Sequence, residues 1–186
     1  MKKQACLDNR SFIGRPDMKI NNLEFRYILQ DEAAEAAGIE EICFPPNEAC
    51  AREDMLTRAV EVPDLFLVAY DREKGVIAGF LNGIATDETA FRDEFFQDAS
   101  LHDAAGANVM LLGLDVRPEY RKMGLATELV RRYAENEAEK GRERLVLTCL
   151  ERLVPMYIKM GFTDLGISAS AWGGEEWHEM EMRLTI

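Results

Sequence analysis

The chain has 186 residues, with 34 acidic against 22 basic side chains and a formal net charge of −12. Its length fits one α/β domain with a real core, and an apolar fraction of 47% excludes wholesale disorder. The acidity argues against a nucleic-acid partner, which needs clustered Lys and Arg, and suits a cationic amine, although acidic charge also serves plain solubility.

Residues 1–17 carry lysines but no continuous apolar stretch, so they read as a flexible lead-in and not as a signal peptide. No apolar run approaches the roughly 20 residues of a membrane span, which gives a cytoplasmic expectation with no membrane partner. A single domain is expected over 18–186. Residues 23–29 alternate as a first strand. Asp31 then caps an Ala- and Glu-rich helix to about Cys43, which Pro45 and Pro46 must end. Asn47 is the expected N-cap of a second helix carrying Met55, Leu56 and Ala59. Residues 65–70 form a strand, a polar turn follows at 71–75, and a second strand runs over 76–84. Gly79 and Gly83 predict a bulge or a close backbone approach in it.

Residues 86–106 break the rhythm. The stretch is acidic yet holds Phe91, Phe95 and Phe96, and reads either as a partly helical lid or as an amphipathic helix that only packs. Residues 109–116 are a strand buried on both faces. After a turn at 117–120, Gly124 opens a helix to about Lys140 with Leu125, Leu129 and Tyr133 along one side. A strand over 144–150, a short helix entered near Pro155, and two strands over 162–169 and 177–184 complete the chain. This order implies one mixed sheet covered by helices.

Four cysteines without paired spacing indicate neither zinc nor a disulfide framework, and two histidines give little material for a metal site. The chemistry concentrates in residues 114–127, where a buried strand turns into a helix at Gly124. Free N–H groups at such a start, with the positive end of the helix dipole, form an anion site. Small residues at Gly124 and Ala126 let a pyrophosphate approach the backbone, and Arg121 and Lys122 add positive charge.

The string Arg121-x-x-Gly124-x-Ala126, after Leu114-x-Val116-x-Pro118, resembles the acetyl-CoA signature of the GNAT superfamily. The resemblance implies a mixed α/β sheet of about seven strands flanked by about four helices, with a splayed central pair. It implies acetyl-CoA as co-substrate, no metal, and direct transfer of acetyl to a small primary amine, with an aromatic amine as the narrower expectation. The backbone at Leu114 and Val116 would pair with the pantetheine arm. The loop Lys122, Met123, Gly124, Leu125, Ala126 and Thr127 would hold the pyrophosphate. Tyr157-x-x-x-Gly161-Phe162 is similar to the element whose phenol protonates the departing CoA thiolate. The segments 147–149 and 153–162, with the acidic insertion, are similar to arylalkylamine N-acetyltransferases. In those enzymes a histidine pair relays protons; the corresponding Met110 and Leu112 cannot. Candidates for the base are therefore Glu48, beside the Pro-Pro break, Asp115, and a water chain. Asp115 alternates with Leu114 and Val116 and so points to the other sheet face. Phe44 and Trp172, with Trp177, are candidate walls of an amine pocket. Acetylation of a protein N-terminus or lysine, and a non-catalytic acyl-CoA-binding module, stay open as alternatives.

Overall fold

A computed structural model describes residues 20–185. The expected lead-in over 1–17 lies outside these residues. Seven strands form one sheet in the order β1-β2-β3-β4-β5-β7-β6. They are β1 (Leu23–Tyr27), β2 (Phe66–Asp71), β3 (Val76–Thr86), β4 (Asn108–Val116), β5 (Arg144–Leu150), β6 (Thr163–Ile167) and β7 (Trp177–Arg183). Four α-helices join them: α1 (Ala33–Cys43), α2 (Arg52–Glu61), α3 (Leu125–Glu139) and α4 (Val154–Lys159). No described helix is long and apolar enough to cross a membrane.

Only β4 and β5 run parallel; every other pairing is antiparallel. A parallel pair requires a crossover, and α3 supplies it. The helix follows Gly124, whose φ of +81° lies in the left-handed region that glycine enters without strain. Leu125, Leu129, Val130 and Tyr133 bury one face of α3, and the Tyr133 hydroxyl donates to Leu65 O at 3.0 Å. On its other face, Arg131 pairs with Glu128 and Glu135. The sheet thus has one core beneath α3 and α4. A smaller one lies beneath α1 and α2, around Ile39, Met55, Phe66 and Phe80.

Three expectations are revised. Asp31 does not cap α1: it lies inside a 3-10 turn at Gln30–Glu32, and α1 follows Glu32 with no side-chain cap. Asn47 does not cap α2, which starts at Arg52 after Ala51. Pro45 instead holds a tight turn, its carbonyl accepting from the N–H groups of Glu48 and Ala49, and the Asn47 amide reaches across to Gly173 O at 3.1 Å. The insertion holds no α-helix, only 3-10 turns at Asp93–Phe96 and Ala99–Leu101. Phe91 lies before the first of these, so its pairing with Phe95 comes from loop packing and not from one helix face. Phe91, Phe95 and Phe96 are all buried in the larger core.

The glycines of β3 meet their expectation. A Cβ on Gly79 would sit 2.5 Å from Asp115 O, and one on Gly83 2.5 Å from Met110 O. The register also shifts between Asn82 and Gly83: Asn82 faces Gly113 while Gly83 faces Leu111. Leu112 is therefore an extra residue in β4 with no partner in β3, a β-bulge that bends the strand. We expect Gly83→Ala to lower the unfolding free energy by about 1–3 kcal/mol, as overpacking against fixed backbone does. A urea midpoint equal to wild type would contradict the close approach.

Candidate active site

The pairing of β4 with β5 covers only Asn108↔Arg144, Val109↔Leu145 and Met110↔Val146. Beyond it, Leu111 and residues 113–116 stay paired to β3 and residues 147–150 stay paired to β7, so the two strands part. The gap opens into a cavity of about 300 Å³. Leu111, Leu112, Gly113, Leu114 and Val116 line it from β4, and Leu147, Thr148, Cys149 and Leu150 from β5.

The α3 side of the cavity is formed by Ala126 and Val130, together with Leu153, Met156 and Tyr157 at the start of α4. At the helix start, Glu128 is the first residue to bond back, its N–H donating to Gly124 O at 3.0 Å. The N–H groups of Leu125, Ala126 and Thr127 have no carbonyl one turn back to meet. Lys122 precedes them at a φ of +61° and is exposed, as are Gly124 and Thr127. Met123 packs half-buried against the core, and Leu125 is buried in it. Arg121 takes another course: its Nε donates to Val116 O at 2.9 Å, and it lines the cavity. Its charge caps the end of β4 and does not extend the helix-start group. Tyr157 is buried, its ring edge-on to Phe162 at 5.6 Å, and burial raises its phenol above the usual range.

The opposite wall comes from three distant segments. Phe44, Pro45 and Glu48 belong to the break after α1, Phe96 to the insertion, and Trp172 and Trp177 to the last hairpin. Phe96 stacks on Trp172 at 4.7 Å, the Trp172 indole donates to Glu48 O at 2.8 Å, and the Trp177 indole donates to Trp172 O at 2.9 Å. Phe44, Glu48 and Trp172 are thus brought together along one cavity wall. Glu48 sits half-buried at the wall. Met110 and Leu112 are both buried, and Leu112 alone of the two reaches the cavity.

Sequence reasoning weighed Asp115 but missed Glu40, and with it the acidic pair the two form at this wall. Glu40 of α1 lines the cavity, and behind it lies Asp115 of β4; they are 3% and 1% exposed. Both carboxyls crowd the face of Gly113, where a Cβ would stand 3.1 Å from Asp115 Oδ2 and 3.3 Å from Glu40 Oε2. Glu40 Oε1 accepts from Cys50 N at 3.0 Å, whereas Glu40 Oε2 and both Asp115 oxygens have no protein donor. Two ionised carboxylates offer each other only acceptors, so a proton between them supplies the missing bond. Burial raises Glu40, and burial with the adjacent Glu40 raises Asp115 well above the carboxylate range. Buried Arg58, 2% exposed, stands near the pair. It donates to Asn82 Oδ1 at 3.0 Å and to Phe96 O at 2.6 Å. The cavity's thiols are inert acids: burial pushes Cys149 up to about 12, and burial with Asp115 pushes Cys43 up to about 11. Among the described residues no group of three or more His, Cys, Asp or Glu could hold a metal ion.

A family model described as Acetyltransferase (GNAT) family matches residues 28–162. The chain belongs to this family. Within GNAT, it is 29% identical to a serotonin N-acetyltransferase of Mesocricetus auratus over 113 residues, 60% of this chain. That match spans 53% of the hamster protein, about half its length. The fold is shared with the loading GNATL domain of CurA from Lyngbya majuscula at a TM-score of 0.75 and 16% identity, covering 87% of this chain and 98% of that one. It is likewise shared with yncA, a putative acetyltransferase from Salmonella typhimurium solved with its cofactor acetyl-CoA. There the TM-score is 0.61 with 17% identity, covering 89% of this chain and 95% of that one. The GNAT fold therefore stands as the sequence led one to expect, with seven strands, four helices and the parted central pair.

The acid pair also shapes stability. Groups whose native pKa is raised bind more protons folded than unfolded, so their contribution is full below the unfolded carboxylate value, about 4, and is lost as pH rises through the native value. Gln keeps the acceptor for Cys50 N. We expect Glu40→Gln to gain unfolding free energy relative to wild type as pH rises from 4 to 8; a constant or falling difference would contradict the burial assigned to Glu40.

Proposed function

We propose that this chain transfers acetyl from acetyl-CoA directly to a small aromatic primary amine. The carrying observation is the cavity between β4 and β5, which has a bare strand edge and a helix start on one side and an aromatic, acidic wall on the other. The residues fit the co-substrate: residues 111–116 lack a β5 partner along one edge, where the backbone at Leu114 and Val116 would take the pantetheine arm. The N–H groups of the turn Lys122, Met123, Gly124, Leu125, Ala126 and Thr127 would hold the pyrophosphate, with Lys122 exposed beside it. Arg121 would fix the strand end by its bond to Val116 O. Bound acetyl-CoA supplies an activated acetyl thioester. The chain's own residues do the rest.

Phe44, Phe96 and Trp172 would stack an aromatic amine, and Glu48 with Glu40 would attract its charged end. Tyr157 lies across the cavity, where its neutral phenol can give a proton to a thiolate as it departs. The buried setting that raises its pKa keeps that proton in place near neutral pH. The similarity to a serotonin N-acetyltransferase supports the aromatic amine, and the three-segment wall supports a small acceptor over a peptide. A soluble cytoplasmic enzyme agrees with this reading.

Two variants test it. Tyr157→Phe keeps the ring against Phe162 and deletes only the donor. Turnover of β-phenylethylamine, followed by free thiol, should fall about 10²–10⁴-fold with acetyl-CoA affinity held. Unchanged turnover would make Tyr157 a packing residue. Gly124→Glu places bulk, a strained φ and negative charge at the helix start, so calorimetric acetyl-CoA affinity should fall at least about tenfold. Wild-type affinity would move the pyrophosphate elsewhere.

A further inference from the structure

We propose that Glu40 and Asp115 act as one proton acceptor: the resting pair holds a single shared proton, and it takes a second from the ammonium of the incoming amine. The inference rests on the acetyl-transfer reading and adds the base that reading lacks. Glu40 is the member facing the cavity, on the side of the aromatic wall, and Asp115 stands behind it with neither oxygen otherwise bonded. The charges around the pair fix its proton count. Arg58 of α2 faces Glu40, and Arg121, at the end of β4, faces Asp115 while spending its own bonds on Val116 O and Cys43 Sγ. Cys43 and Cys50 near the break after α1, and Tyr157 on α4, have raised pKa values and stay neutral near pH 7. Two carboxyls with one proton leave a single negative charge, which balances buried Arg58.

The transfer then closes without another reagent. An N–H bond of the ammonium breaks and an O–H bond forms on Glu40, leaving the pair fully protonated and the amine neutral. The freed lone pair forms the C–N bond to the thioester carbonyl as the C–S bond breaks. The second amine proton reaches the sulfur through Tyr157, which gives one proton and regains one. After the amide leaves, the pair releases its extra proton to water. Glu48 is the weaker candidate, because it sits half-buried, where water competes for its charge.

Glu40→Gln and Asp115→Asn test the pair by two readouts. In either variant one carboxyl remains opposite Arg58 and ionises. The wild-type protein without substrate should show an infrared carbonyl band of a buried carboxylic acid at neutral pH, and both variants should lose it. In the same variants β-phenylethylamine turnover at neutral pH should fall about 10²–10⁴-fold and recover as pH approaches the amine's own pKa. Calorimetric acetyl-CoA affinity should hold. A band that is missing in wild type, or that persists in both variants, overturns the shared proton, and wild-type turnover at neutral pH in either variant overturns the pair as acceptor. A protein that keeps the band but acetylates no amine overturns the acetyl-transfer reading and the pair's part in it, a failure the intact band tells apart from an absent shared proton.

Discussion

One extra residue governs this molecule. Leu112 has no partner in β3, and the strand must bend to accommodate it, just after its pairing with β5 ends at Met110. Because β4 stays bonded to β3 and β5 to β7, neither strand can return to close the gap. A sheet interrupted this way would ordinarily leave buried backbone groups without partners. Here the gap is walled by α3, α4 and the loops around Phe44 and Trp172, and the open edge is the one proposed to take the pantetheine arm.

Beside the bent strand, one of its acids meets an acid of α1 and a cation of α2 in the interior. Burying a carboxylate is unfavourable by several kcal/mol unless its charge is offset; the nearby charge of Arg58 offsets part of it, and Arg58 ties the insertion down through Phe96 O. The insertion is therefore part of the wall's foundation: its phenyls fill the core and one of its carbonyls completes the shell of the only arginine among the most deeply buried side chains described. Losing the insertion would strip Arg58 of a partner and disturb Glu40 from a distance.

Much of this could be read from the residues in order. The turn at Gly124, the Tyr157 element, the strand sequence and the close approaches at Gly79 and Gly83 are all local patterns. Such patterns survive folding because the backbone itself imposes them. What escaped depends on segments far apart in the chain. Asn47 looked like a cap because nothing local revealed that Gly173 would claim its amide. The phenyls of the insertion mimicked a helix face because spacing alone cannot distinguish a helix from a packed loop. Glu40 did leave a trace: it sits near the C-terminal end of α1, where negative charge opposes the helix dipole, with no basic residue in the last turn to offset it. The alternation along β4 placed Asp115 opposite Leu114 and Val116, and that face proved to be the one α1 covers.

Both tryptophans of the chain stand in the cavity wall, and each donates its indole N–H to a backbone carbonyl of that wall. Indole emission responds to the polarity and hydrogen bonding of its surroundings, and elsewhere the sequence has no indole to mask it. The protein thus carries its own optical reporter, confined to the aromatic wall of the cavity. Filling that side, or loosening the link between the last hairpin and the break after α1, registers in the native fluorescence without any label.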